Sequence, residues 1–141
     1  MNSVINRSIY VAAASTLALS AAVARAQDTV RIRAAFDHTA QLLSGGSAVL
    51  TGGPLGECPL GDVLTLSVKV TQGQTAATGN WPTPHPCTGH DQRWELTAHT
   101  TRGSRLGPGQ ATGRGTVVIT RDRHTIATIR WHRTISLRKS A

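Results

Sequence analysis

The chain reads as an all-β protein, an immunoglobulin-like antiparallel β-sandwich of about seven strands, and three observations predict that class. Apolar and polar residues alternate with a period of two, as from Asp62 to Gln72, where Leu64, Leu66, Val68 and Val70 share one face. Breakers rich in Gly and Pro separate such runs at Ser44-Gly45-Gly46, Gly52-Gly53-Pro54, Gly61, Gly73, Pro82 to Pro86 and Gly103 to Gly109. Two cysteines, Cys58 and Cys87, allow only one bridge.

The N-terminus sets the compartment. Met1 to Arg7 is polar with one basic side chain, Ser8 to Val23 carries no charge, and Ala24-Arg25-Ala26 places small residues before a cleavage point. That three-part pattern predicts a secretion signal over residues 1–26, cut after Ala26. The rival reading, an uncleaved anchor, is disfavoured because the stretch is rich in Ala and Ser and short of the ~20 strongly apolar residues a span needs. No twin-arginine pair precedes it and no Cys follows it, so the general secretory route is expected, without a lipid anchor. Residues 27–141 then form one secreted domain with no stable membrane insertion. Outside the cytoplasm Cys58 and Cys87 are expected to pair. Closing the loop between them stabilises a small domain by roughly 3–4 kcal/mol.

The expected strands are 29–36, 47–52, 62–72, 75–81, 92–100, 110–120 and 124–138. In the first, Val30, Ile32, Ala34 and Phe36 alternate with Arg31, Arg33 and Ala35. Residues His38 to Leu43 read at most as one helical turn, and Ser47 leaves the Gly45-Gly46 turn to begin the second strand. The third run is rich in the β-branched residues that suit a pleated surface. In the fifth, Trp94, Leu96 and Ala98 face one way. The last two strands read as a hairpin about Arg121-Asp122-Arg123. Their apolar positions are all odd: Val117 and Ile119, then Ala127, Ile129, Trp131, Ile135 and Leu137. Cross-strand partners share a face, so odd must pair with odd through a loop of odd length. Trp131 then lies opposite Gly113 or Gly115, and Arg133 breaks the pattern, as at a bulge or where the strand leaves the core.

The same register turns Arg114, Arg130, His132 and Arg138 outward, among Thr112, Thr116, Thr128, Thr134 and Ser136. Charge is uneven along the chain. Residues 27–92 hold three basic and five acidic side chains, whereas residues 93–141 hold ten basic and two acidic. The asymmetry is compatible with an extracellular polyanion as partner, through those four residues. The plainer reading is a solvated face that blunts an edge strand. Thirteen of the fifteen basic residues are Arg, which a GC-rich coding sequence also explains.

Candidate chemistry is sparse. His85-Pro86-Cys87-Thr88-Gly89-His90-Asp91, with Cys58, collects ligand types used by tetrahedral zinc or copper(I). No C-x-x-C or H-x-x-x-H spacing accompanies them, and oxidation competes for the thiols. No G-x-S-x-G elbow, phosphate loop or calcium loop occurs, and the seven carboxylates sit mostly beside turns. No catalytic, cofactor or metal residue is therefore assigned. Trp94 and Trp131 sit on core faces. Trp81, before the proline loop, is either core or an exposed stacking platform for sugar or peptide.

The order Leu50-Thr51-Gly52, Cys58-Pro59, Val63 to Gln72, Ala77-Thr78-Gly79, Cys87-Thr88-Gly89, Trp94-Glu95-Leu96-Thr97 and Gly107-Pro108-Gly109-Gln110-Ala111 resembles small secreted β-sandwich proteins of unknown function from high-GC Gram-positive bacteria. The likeness covers about residues 50–138 and implies export and a Cys58–Cys87 bridge. It implies no active site. The expectation is a secreted, non-enzymatic interaction or structural module. Polyanion binding, and a metal or redox role for Cys58, Cys87, His85 and His90, are the alternatives. A partner, whether polyanion or protein, and the oligomeric state are not written in the residues.

Overall fold

The computed structural model describes residues 31–140. The expected signal, its cleavage after Ala26 and the start of the first expected strand lie outside the described residues. Strands β1 (Arg31–Ile32), β2 (Thr39–Leu43), β3 (Ala48–Glu57), β4 (Val63–Gln72), β5 (Thr75–Asn80), β6 (His85–Pro86), β7 (Gln92–Thr100), β8 (Gly109–Arg121) and β9 (His124–Lys139) follow one another, with a 3₁₀ turn at Ser44–Gly46. Among the described residues no helix is long and apolar enough to cross a membrane.

The protein is all-β, but it is not a sandwich. One sheet runs β3-β2-β9-β8-β4-β5-β7, and β7 pairs back onto β3, closing a seven-strand barrel. Every neighbouring pair in that ring is antiparallel except β2 and β9, which run parallel. The correction turns on β2, the segment expected to be a helical turn. It alternates as a strand, with Ala40 and Leu42 buried between exposed Thr39 and Gln41. On one side it pairs with β3 (Gln41 opposite Leu50), on the other with β9 (Thr39 opposite Ser136). A sandwich would leave β3 and β9 as edges of separate sheets. By bridging them β2 joins the sheets into a closed ring.

The interior is filled by inward-facing side chains. Phe36, Leu55, Leu64, Leu66, Val70, Trp94, Val117, Ile119, Ile135 and Leu137 are almost wholly buried. An aromatic cluster is built from Phe36, Trp94 of β7 and Trp131 of β9. The Phe36 ring lies 5.2 Å from Trp94 edge-to-face and 6.1 Å from Trp131, with Trp94 and Trp131 6.0 Å apart. Room for it comes from β8. A Cβ on Gly113 would lie 2.8 Å from the Phe36 ring, and a Cβ on Gly115 would collide with the Trp131 indole. Trp131 pairs with Gly115, one of its two expected partners.

That register arises differently from expectation. Arg121 pairs with His124 across a two-residue turn, and Asp122 and Arg123 both take positive φ, +51° and +68°. Such turns match the twist of a hairpin. They pair odd with even, and a bulge that skips Ile126 restores odd with odd from Ile119–Ala127 onward. The bulge therefore lies at the hairpin tip and not at Arg133.

Arg133 stays in register opposite Gly113 and faces inward. Its guanidinium donates to the Phe36 carbonyl at 3.0 Å and to His38 Nε2 at 2.7 Å. A guanidinium only donates, so His38 Nε2 is the acceptor. These bonds bridge the gap where β1 and its continuation follow β3, with Arg33, Ala35 and Asp37 N–H donating to Leu55, Pro54 and Gly52. Among the described residues no strand pairs with the β9 edge between Thr125 and Thr134. An inward charge beside an open edge discourages strand addition.

Candidate functional site

Two regions gather polar chemistry, and the fold treats them oppositely. At one end of the barrel Cys58 and Cys87 form a disulfide, with Cα atoms 5.4 Å apart, and no free cysteine exists. The candidate metal site thereby loses both thiolates. His85, on the short β6 paired to β4, stacks flat on Trp81 with ring centres 3.7 Å apart and planes within 7°. His90 is exposed and its backbone N–H donates to the Thr88 hydroxyl. Among the described residues no group of three or more His, Cys, Asp or Glu is placed to hold a metal.

Trp81 is core and not a platform: it is 9% exposed, its indole N–H donates to the Glu95 carbonyl at 3.3 Å, and His85 covers its face. Asp62, 2% exposed, is held by Arg121 in a two-pronged pair at 2.8 and 3.0 Å. The hydrogen bond to Asp62, aided by its charge, raises the Arg121 pKa above the ordinary arginine value. The Asp62 carbonyl also accepts from Cys87 N–H, and the Cys58 carbonyl from Gly89 N–H. This end is a clamp whose groups are consumed by structure.

The other region is the outer face of β5, β4, β8 and β9. Because Val68, Gly115 and Trp131 point inward, the residues between them point outward. The register then sets Thr78, Lys69, Arg114 and His132 in one row across four strands. The next row holds Asn80, Ser67, Thr116 and Arg130. With strands ~4.8 Å apart, each row spans about 14 Å. Lys69, Arg114, Arg130 and His132 are all exposed. The ion pairs of the described residues, Arg93–Asp37 and Arg121–Asp62, lie elsewhere, so none of the four is neutralised by a described carboxylate. Lys69 and Arg114, with Ser67, Thr78, Asn80 and Thr116, border a shallow groove of about 450 Å³.

Three of the four expected basic residues thus converge, and Arg138 does not. It lies opposite Gln41 of β2, six residues beyond His132, roughly 20 Å along the strand. There it borders a second groove of about 570 Å³, with Lys139, Arg93, Asp37 and Glu95. Both signs of charge line that groove, and Arg93 is already paired with Asp37. Lys69 is the member that sequence reasoning missed. Its outward orientation was visible from the alternation in 62–72, but the pairing of β4 with β8 was not.

A scan against protein-family models finds none that matches this chain, and a search of curated proteins finds no match either.

Proposed function

We propose that the chain works outside the cytoplasm as a non-catalytic binding module that holds a polyanion on the outer face of β4, β8 and β9. One observation carries the reading: Lys69, Arg114 and His132 stand side by side across three paired strands, with Arg130 beside them, and no described acid answers them. Lys69 and Arg114 stand directly opposite each other, and like charges so placed repel, a cost that an anionic partner offsets. Export supports the reading through the three-part pattern of residues 1–26 and the Cys58–Cys87 bridge.

The test replaces Lys69, Arg114, Arg130 and His132 together with Gln and follows retention on an immobilised polyanion. The parent protein is retained at low salt and released by moderate salt, as counterion release demands. The variant elutes early and melts no lower than the parent, since relieving the repulsion does not destabilise the fold. Equal retention of the two proteins sinks the proposal. Export is checked separately, by N-terminal sequencing of the secreted product, which is expected to start at Gln27.

A further inference from the structure

We infer that the polyanion held on this face is an acidic polysaccharide, a chain bearing carboxylates and hydroxyls on the same repeating units. The inference rests on the polyanion reading above and concerns only the class of ligand. It follows from what surrounds the cations. Ser67, Thr78, Asn80, Thr112, Thr116, Thr128 and Thr134 interleave with Lys69, Arg114, Arg130 and His132 on the same outward surface. None of these hydroxyl and amide side chains makes a hydrogen bond to another described residue, whereas Thr51, Gln72, Thr100 and Thr101 do.

A second supply of acceptors lies at the β9 edge. Ser136 N–H donates across to the His38 carbonyl. Backbone groups of alternate residues point to the same side of a strand. The N–H and C=O of Thr128, Arg130, His132 and Thr134 therefore face the unpaired edge, next to the cations. The surface thus offers charged donors in the middle, with hydroxyl, amide and backbone groups around them whose O–H and N–H donate and whose oxygens accept. A matching ligand accepts from the cations and also donates to those oxygens.

Polyanion classes differ in that respect. Inorganic polyphosphate and the phosphodiester backbone of DNA present acceptors alone: they take hydrogen bonds from the cations, hydroxyls and edge N–H groups but give none to the edge carbonyls. Single-stranded nucleic acids carry donors on their bases, but proteins hold those bases by stacking them on aromatic side chains. This face has none. Phe36 and Trp94 are buried, Trp131 faces inward over Gly115, and Trp81 is covered by His85. A sugar chain with carboxylates supplies anions for the arginine forks and hydroxyl donors for the rest.

Isothermal titration at low salt distinguishes the classes, with polygalacturonate, inorganic polyphosphate and oligothymidylate as probes. The proteins compared are the parent, a Ser67→Ala/Thr78→Val/Asn80→Ala variant, and a Lys69→Gln/Arg114→Gln variant, each checked for an unchanged melting curve. We expect the parent to favour polygalacturonate. The hydroxyl-and-amide variant weakens that binding about fivefold or more, by losing hydrogen bonds of ordinary strength in both directions, and weakens polyphosphate binding less, since phosphate can only accept from the groups removed. The cation variant weakens both. If the first variant binds polygalacturonate as the parent does, or if oligothymidylate binds best, the polysaccharide assignment is overturned while the polyanion reading stands. If the parent binds none of the three, both fail.

Discussion

At the disulfide end Cys58, Cys87, His85, Trp81 and Asp62 each meet a partner within the fold, whereas on the outer face of β4, β8 and β9 Lys69, Arg114, Arg130 and His132 are exposed and their side chains make no hydrogen bond or ion pair to another described residue. By residue type the first region looks the richer, with thiols, imidazoles and a buried carboxylate. Yet chemical capability is spent once a group is bonded: the sulfurs cannot ligate a metal, and Asp62 holds Arg121. The second region is built from side chains often dismissed as surface filler, but theirs remain free. The contrast teaches that availability, and not residue type, separates a site from a clamp.

That division makes ordered predictions. The largest effect falls on the clamp. Replacing Cys58 and Cys87 together with Ala should cost about 3–4 kcal/mol of stability through the loop that the bridge closes, read as a lower denaturant midpoint. Polyanion affinity of the protein that remains folded should not change. A matching loss of affinity would show that the two regions are not independent. Next comes the scaffold beneath the basic face. Gly115→Val should destabilise by about 2–3 kcal/mol, because the added side chain meets the Trp131 indole. Near-UV circular dichroism should report the displaced ring.

His85→Ala should cost about 0.5–1 kcal/mol, the worth of one stacked ring pair, and should raise the exposure of Trp81 to a fluorescence quencher. Neutralising Lys69, Arg114 and Arg130 should move stability by no more than about 0.5 kcal/mol, while reducing polyanion affinity at least about tenfold at low salt. The smallest effect belongs to Arg138→Gln, which should leave that affinity within about twofold, since Arg138 sits in the other groove. An Arg138 effect as large as that of Arg114 would move the binding surface toward the β2 end of β9.

Much of the local structure was legible. The alternation in 62–72 and 92–100 emerges as β4 and β7, and the odd-numbered apolar face of β9 packs inward as expected. Local patterns record which way a side chain points because a strand's two faces meet different surroundings. The strand β2 went unread for a related reason. Thr39-Ala40-Gln41-Leu42-Leu43 alternates only briefly, and its weak apolar residue, Ala40, says little about period. Its partner in parallel pairing is β9, nearly a hundred residues away, with no turn between them to announce it. The hairpin turn was placed correctly, but its length was not. A bulge can repair any register, and nothing in Ile126 marks it as the extra residue.

The candidate face divides the same way. That Arg114, Arg130 and His132 point outward follows from their spacing, since successive strand residues alternate between wet and dry sides. That Lys69 joins them, that Arg138 stands apart, and that two sheets become one ring were decided by which strands pair. Pairing is a contest among distant segments for backbone hydrogen bonds and buried area, settled by the whole molecule at once. No short stretch of residues carries its outcome.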